Sequence, residues 1–336
     1  MPALQIPALD PGARVQHELL VRERAEKRTN SGDPFVILTL GNSTGTIETA
    51  PIWSDKLAWA AGAETGRVVQ AIGEVSLYGR NGQLKRQLAL TAPLRVLPLE
   101  RFRAEEFLPS IDESVELLWA RLDKARASVR SATLRAVLDL VFRDDDFRVR
   151  FERAPGSTAG HHAKLGGLLQ HTMEVVNIAV TAAKSVRKAS HDLVVAGSLL
   201  HDVGKVEAYE ITSAGFGYTP CGLLLGHVVL GALMLERRVA AAGASGTSAA
   251  PVCSDGQLLE LQHMILSHHG KLEFGSPVPP MTPEAEIVHW ADEASAKATD
   301  MFDALEDRDL WPDGDEFSKR VWRLDRRVWR RPHDWD

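Results

Sequence analysis

Apolar and polar residues alternate along the first hundred positions of the chain and then change period. Val15, His17, Leu19 and Val21 recur every second residue among mostly polar neighbours, the pattern of a half-buried strand. "PFVILTL" and "TGTIETAPIW" follow, joined by the turn-forming "GNSTG". "GRVVQAIGEV" and "QLKRQLALTAPLRVL" then flank "YGRNGQ", whose Asn81-Gly82 pair is a strong hairpin signal. Between the third and fourth strands, "SDKLAWAAGAETG" reads as a short helix or loop. Five strands with that interruption predict a small closed barrel of OB type over residues 14–97.

Residues 98–113 read as a linker. From Ser114 the spacing becomes helical, with Val115, Leu118, Trp119 and Leu122, then Leu134, Val137, Leu138 and Val141. Helical character continues to about Leu305, which predicts an all-α bundle over 114–310 and an α+β protein of two domains. Within it, Thr282 caps a helix that has Pro283 at its first position. "AAAGASGTSAAPVCSDG" (240–256) is small and polar, and predicts a mobile surface loop. A tail, 311–336, completes the chain.

Composition narrows the classes. A chain of 336 residues, 44% hydrophobic and 25% charged, has the make-up of a globular protein with room for two cores. Cys221 and Cys253 cannot build a disulfide framework or a zinc cluster, which favours a reducing cytoplasm. "MPALQIPALDPGARV" lacks the features of a signal peptide, and "GLLLGHVVLGALML" is too short to span a bilayer, so no membrane role is expected. The net charge of −6 argues against a polyanionic partner, but it is unevenly spread. Residues 151–310 hold 19 Asp and Glu against 11 Lys and Arg, as a cation-gathering site would. Lys319 to Arg331, "KRVWRLDRRVWRR", has seven basic residues with Trp322 and Trp329 interleaved. That pattern suits phosphate contact and base stacking, and equally an amphipathic terminal helix docking its tryptophans. On the barrel, Trp53, Tyr78, Arg80, Lys85 and Arg86 are candidate contacts to single-stranded nucleic acid, or ordinary surface residues.

The candidate chemistry centres on "AGSLLHDVGK", Ala196 to Lys205. Burying His201 and Asp202 beside Leu199 and Leu200 is costly unless something compensates both polar groups, and a metal ion would do so. Other helical segments offer further donors beside apolar residues: His171 in "GGLLQHTMEVV", His227 in "LLGHVVLGALML", His268 and His269 in "HMILSHHGKLEFGSP", and Asp292 in "TPEAEIVHWADEASAK". One such histidine alone is more often a satisfied core residue; helical bundles nevertheless build metal sites from facing helices in this way. The set divides into His171, His201, Asp202 and Asp292 around one ion, with Asp202 bridging to a second held by His227 and His268. Mixed imidazole and carboxylate donors suit Mn, Fe or Zn. Two ions about 3.5–4 Å apart would hold an activated water and clamp a phosphodiester. Lys205, one turn beyond His201, would stabilise charge developing on the phosphate, or alternatively pair with a helix C-terminus. Gly204 leaves the intervening surface clear.

These residues resemble the HD superfamily of metal-dependent phosphohydrolases. "HHAKLGGLLQHT", "LLHDVGK", "GHVVLGALML", "LSHHGKLEFGSPVPPMTPEA" and "VHWADEASAK" together resemble the YhaM-type 3′–5′ exoribonucleases, as does the ending "VWRLDRRVWRRP". The resemblance runs from about residue 14 to the end and implies an OB domain before an HD domain. It implies trimming of single-stranded RNA, and in some members DNA, from the 3′ end with release of nucleoside 5′-monophosphates. It implies two divalent ions, Mn²⁺ foremost, with Fe, Zn, Co or Mg as alternatives. His171, His201, Asp202 and Asp292 match the family's metal ligands, with His227 and His268 at the second-metal positions; on the reading of the residues above, Asp202 and Lys205 are the catalytic candidates. His161, His162 and His269 are expected at the substrate or behind the ligands; for the first two a surface role at a helix start is the alternative. His289 is expected to orient a ligand. Ser295 departs from the family, which often has an acidic residue there. A homo-oligomer is compatible with the sequence. Two other functions remain open: a nucleotide or cyclic-dinucleotide phosphohydrolase of HD type, and an inert OB-fold nucleic-acid-binding protein.

Overall fold

In the computed structural model, residues 4–80, 83–186, 188–212, 214–244, 251–312 and 314–335 are described. The chain divides into two compact units: Met1–Pro109 with Ile211–Gly215 and Met301–Asp336, and Ser110–Glu210 with Phe216–Asp300.

The first unit is built on the alternating segments. β1 (Arg14–Arg28) is long enough to serve two neighbours: its first half pairs antiparallel with β4 (Val68–Arg80) and its second half with β2 (Pro34–Asn42). A register shift between Val21 and Glu23 marks the change of partner, because an extra residue bends a strand and increases its twist. β3 (Gly45–Glu48) pairs with β2, β5 (Gln83–Leu90) with β4, and the short β6 (Arg95–Val96) also with β4. The order β3-β2-β1-β4-β5 curls until Thr49 bridges Leu88 of β5 in parallel, which nearly closes the barrel. Inward residues of one parity, among them Leu19, Val21, Leu38, Leu40, Val69, Ala71 and Leu88, form its core. A 3₁₀ helix, Ser54–Ala60, fills the interval between β3 and β4. Asn81-Gly82 lies outside the described residues, although Arg80 and Gln83 on either side are paired in register.

Two segments of this unit differ from expectation. Within 98–113, the residues up to Pro109 are ordered as two 3₁₀ turns, where Phe102 and Phe107 pack with Leu20, Val68 and Leu97. The tail forms no helix among its described residues, so the docked amphipathic helix is corrected. Val321, Leu324 and Val328 do bury against Ala304, but Asp325 adopts a left-handed φ of 54° and breaks the helical path. Trp322 is 75% and Trp329 44% exposed, so neither ring is buried as a docked helix would have it.

The second unit is a helical bundle: α1 (Val115–Ser128), α2 (Ala132–Phe142), α3 (Asp145–Arg153), α4 (Gly167–Ser185), α5 (His191–Leu200), α6 (Lys205–Ala208), α7 (Pro220–Ala244), α8 (Asp255–Ser267) and α9 (Pro283–Glu306), the last running on beyond Asp300. Side chains of Ser114, Ser131, Asp144, Ser190 and Ser254 accept from backbone N–H groups three residues on, satisfying donors that a helix start leaves open. Thr282 does the same for Ala285, as its position before Pro283 predicts. Phe142, Phe147 and Phe151 stack within a core that also takes Leu122, Leu168, Leu199 and Ile265. A two-stranded hairpin, β7 (Tyr209–Thr212) and β8 (Gly215–Tyr218), interrupts a stretch expected to be wholly helical. Of the small, polar segment 240–256, residues 245–250 lie outside the described residues; α7 reaches Ala244 and a capping box at Ser254 and Gln257 opens α8.

Candidate metal centre

Four helices and one turn bring the predicted donors together. His171 projects from α4 and Asp292 from α9, while His201 and Asp202 sit in the turn that ends α5. His227 follows Gly226 in α7, and His268 terminates α8. Gly226 adopts φ 73° and ψ 155°, backbone that is essentially reserved for glycine, and the break it makes in α7 turns His227 toward the cluster.

Asp202 is the hub. Its Oδ2 lies 3.4 Å from His171 Nε2 and 3.2 Å from His201 Nε2. Its Oδ1 lies 3.4 Å from His227 Nε2 and 3.6 Å from His268 Nε2. Asp292 Oδ1 adds to the first group, 3.0 Å from His171 Nε2 and 4.0 Å from His201 Nε2. The carboxylate thus presents one oxygen to each of two donor groups.

Hydrogen bonds on the far side of the rings set which nitrogen faces inward. Nδ1 of His201 donates to the Ser198 carbonyl and Nδ1 of His268 to the Ile265 carbonyl, both at 2.7 Å. A carbonyl only accepts, so each Nδ1 carries the proton and each Nε2 keeps its lone pair for an ion. His269 is fixed likewise by the Phe274 carbonyl, at 2.6 Å, and its donor atom groups with those of His227 and His268. His289 donates at 2.7 Å to the carbonyl of His268, so it braces that residue's backbone instead of touching Asp292.

Electrostatics agree with a site built for positive charge. Burial raises the pKa of Asp202, but Lys205, His201 and His171 outweigh it and hold the carboxyl well below its usual range. Asp292 is likewise held down, with His171 its main partner against burial. Burial pulls the His171 imidazolium down, yet Asp202 and Asp292 lift its pKa to about 9. Lys205 has its Nζ 2.6 Å from Asp202 Oδ2, and the carboxylate raises its pKa against burial. His227 is pushed down to about 3 by burial, with Lys205 adding to the effect, and His268 falls well below its ordinary value for want of water and beside His269.

The decisive feature is what these atoms lack. Both oxygens of Asp202, Nε2 of His227 and Nε2 of His268 are buried without a hydrogen bond of proper geometry. Buried polar groups are otherwise nearly always satisfied, and leaving four of them open in one place costs several kcal/mol at roughly 1–3 kcal/mol each. Donors of mixed imidazole and carboxylate type that converge in this way fit divalent ions. His171, His201, Asp202 and Asp292 could hold one, and Asp202, His227 and His268 a second, with His269 in reach of the latter.

Behind the ligands the structure places residues that the sequence does not single out. Glu174 lies one turn after His171 on α4 and bonds Ser295; its i+3 spacing is the available signal. Tyr209 has its ring 6.3 Å from His227 and 5.1 Å from Tyr218, and burial, aided by Tyr218 and Asp202 against Lys205, pushes its pKa up to about 12. The alternation in "YEIT" and "GFGY" is its trace in the sequence. His162, in left-handed backbone at φ 53°, is buried 3.1 Å from Glu174, and His161 is 3.5 Å from Asp300, with its ring 6.0 Å from His171.

The barrel candidates do not form one group. Trp53 is exposed with its ring 5.1 Å from Phe35, and Tyr78 is exposed on β4 opposite Lys85. Lys85 is paired with Glu48 at 2.7 Å. Arg86 is fully engaged, with a two-pronged bond to Asp309 and further bonds to the carbonyls of Pro7 and Leu9. The side chain of Arg80 lies outside the described residues. No helix among the described residues is long and apolar enough to cross a membrane.

Comparison with known proteins places this geometry. The HD domain family matches residues 168–297, the stretch that carries His171 through Asp292. The chain is similar along nearly its whole length to curated proteins named 3′–5′ exoribonuclease YhaM. The one from Bacillus subtilis is 30% identical over 323 residues, 96% of each chain. That from a Geobacillus species is 29% identical over 96% of this chain and 93% of its own, and that from Listeria welshimeri 28% identical over 96% of both. No solved structure matches the chain significantly.

Proposed function

The chain belongs to the YhaM family of 3′–5′ exoribonucleases, and from that premise we propose that it shortens single-stranded RNA from the 3′ end, releasing nucleoside 5′-monophosphates. The observation that carries the reading is the two-sided Asp202, fully buried, with Oδ2, which also pairs with Lys205, toward His171 and His201 and Oδ1 toward His227 and His268, neither oxygen in a hydrogen bond of proper geometry. Divalent ions held by these residues, Mn²⁺ foremost, would draw charge from a phosphodiester and acidify an attacking water.

The chain's own residues supply the rest. Lys205 Nζ, buried beside Asp202, binds the phosphate oxygens and meets charge as it develops there. The carbonyl bonds to Nδ1 of His201 and His268 keep both rings aimed before substrate arrives, so no reorientation is needed during reaction. His161, part-exposed with its ring 6.0 Å from that of His171, would contact the terminal nucleotide. Strand binding falls to exposed aromatics, Trp53 and Tyr78 on the barrel and Trp322 in the basic tail, where base stacking tolerates any sequence. A cytoplasmic location accords with an RNA substrate and with two cysteines that form no disulfide.

The test uses purified protein with single strands labelled at the 5′ or the 3′ end, with Mn²⁺ or with chelator. A ladder of 5′-labelled products that requires the ion is expected, on RNA above all. Internal fragments would overturn 3′-end attack. Hydrolysis of mononucleotides or cyclic dinucleotides with RNA left intact would point to a small-nucleotide hydrolase, and binding without cleavage to an inert domain.

A further inference from the structure

His171 differs from the other candidate ligands in how its outer nitrogen is held. His201 and His268 donate Nδ1 to backbone carbonyls of their own helical turns. His171 Nδ1 instead lies 3.0 Å from the Ser295 hydroxyl, and that hydroxyl donates to Glu174 Oε2 at 2.7 Å. Because the Ser295 proton is committed to Glu174, its oxygen must accept from His171. Nδ1 therefore carries hydrogen toward Ser295, and Nε2, 3.0 Å from Asp292 Oδ1, is the nitrogen left to hold an ion once it gives up its own proton.

The spacing makes this a clasp between two helices. His171 and Glu174 are three apart on α4, and Asp292 and Ser295 three apart on α9, so each pair shares a helix face. One imidazole touches both members of the facing pair, one with each nitrogen. Ser295 and His171 are both buried, and Glu174, part-exposed, closes the chain of bonds at its outer end.

We infer that Glu174, acting through the Ser295 hydroxyl, is the positioning carboxylate for His171: it fixes the ring's tautomer and plane and strengthens it as a ligand. This rests on the proposed two-ion site. It also accounts for a serine at 295: the carboxylate comes from the opposite helix, with the hydroxyl as intermediary. Donor atoms of His162, His171 and Glu174 also group closely enough to suggest a separate ion. That arrangement conflicts with the bonds, since Nδ1 of His171 is spent on Ser295 and Nε2 faces Asp202 and Asp292.

The experiment measures Mn²⁺ affinity and the number of ions bound by the full chain, with the melting midpoint of the ion-free protein as the control for folding. Ser295→Ala should weaken the tighter ion about tenfold to thirtyfold, within the range found when ligand-orienting partners are removed. Glu174→Gln should weaken it by about tenfold, and the double variant no more than Ser295→Ala alone, because the two residues act in series. Ser295→Thr, which keeps the hydroxyl, should bind as the parent does. Unchanged affinity in both single variants, or losses that add in the double, would overturn the inference. So would one fewer ion in Glu174→Gln at unaltered affinity, the mark of a separate site. A loss of affinity wholly matched by a lower melting midpoint would reduce the clasp to scaffolding and overturn it as well. A parent protein that binds no Mn²⁺ would instead remove the two-ion reading beneath it.

Discussion

Arg86 in the barrel unit and Asp202 in the helical unit are both charges held largely out of water, and their surroundings treat them in opposite ways. Arg86 is met from every side: Asp309 takes two of its nitrogens, and the carbonyls of Pro7 and Leu9 take a third. Asp202 has five cationic or imidazole groups within 3.6 Å, yet neither oxygen has a hydrogen bond of proper geometry. The first arrangement is complete as it stands, and removing a partner can only loosen the unit. The second has cationic neighbours but leaves its oxygens and two facing imidazole nitrogens open to a further positive partner. Satisfaction, more than burial or charge, separates a structural ion pair from a working one.

The sharpest way to break the contrast is at its hub. Asp202→Asn keeps the shape of the side chain and should abolish stoichiometric Mn²⁺ binding, with RNA shortening down about a thousandfold, the scale of losing a principal electrostatic stabiliser. Elemental analysis and a single-turnover assay check both, and full activity in this variant would end the argument. Lys205→Ala should lower turnover by about a hundredfold while most of the metal is retained. Equal losses of metal and turnover would make Lys205 a prop for Asp202 instead.

At the opposite pole, Arg86→Ala should cost about 2 kcal/mol of stability by denaturant titration, since it takes a donor from two carbonyls and a carboxylate, and should leave Mn²⁺ affinity untouched. Weaker RNA binding at unchanged stability would move Arg86 to the substrate side of the comparison.

Protons offer a further discriminator. His171 has a folded pKa of about 9, above its ordinary 6.5, so its contribution to stability is fully present below pH 6.5 and lost as pH rises through 9. His227 is depressed to about 3, so its contribution is present above pH 6.5 and lost as pH falls toward 3. Ion-free protein should therefore melt highest near about pH 6.5. A divalent ion binding at about pH 7.5 must displace the His171 proton, so calorimetry in buffers of differing ionisation heat should register release of about one proton. Absence of any release would place the ion elsewhere. The smallest effect is expected at the barrel surface: Trp53→Ala should weaken RNA binding roughly fivefold to tenfold, with turnover at saturation unchanged.

The same contrast explains what could be read from the residues alone. Each candidate ligand stands in an apolar helical run, and such placement by itself announces a buried imidazole or carboxylate. The strands of the barrel were equally plain, because alternation over Val15 to Val21 and "PFVILTL" admits little else. Partnership was not readable. Arg86 and Asp309 are 223 positions apart, and next to Lys85 and Tyr78 the arginine has the composition of an RNA contact. Glu174 resembles any polar residue on a helix until α9 supplies Ser295. In the tail, Val321, Leu324 and Val328 keep helical spacing, and only the left-handed Asp325 betrays that they do not share a helix.

Gly204 carries the last consequence. A Cβ there would stand 2.0 Å from the His227 carbonyl oxygen and 2.4 Å from the Gly231 nitrogen, so main chain rests directly on main chain. The turn bearing His201 and Asp202 is thus seated on the segment bearing His227 with no side chain as spacer. The separation of the two halves is gauged by peptide backbone, a ruler that no rotamer change can lengthen. Cations of different radius would be received by the same gap, and selectivity among them would have to come from how well each fits a frame that does not yield.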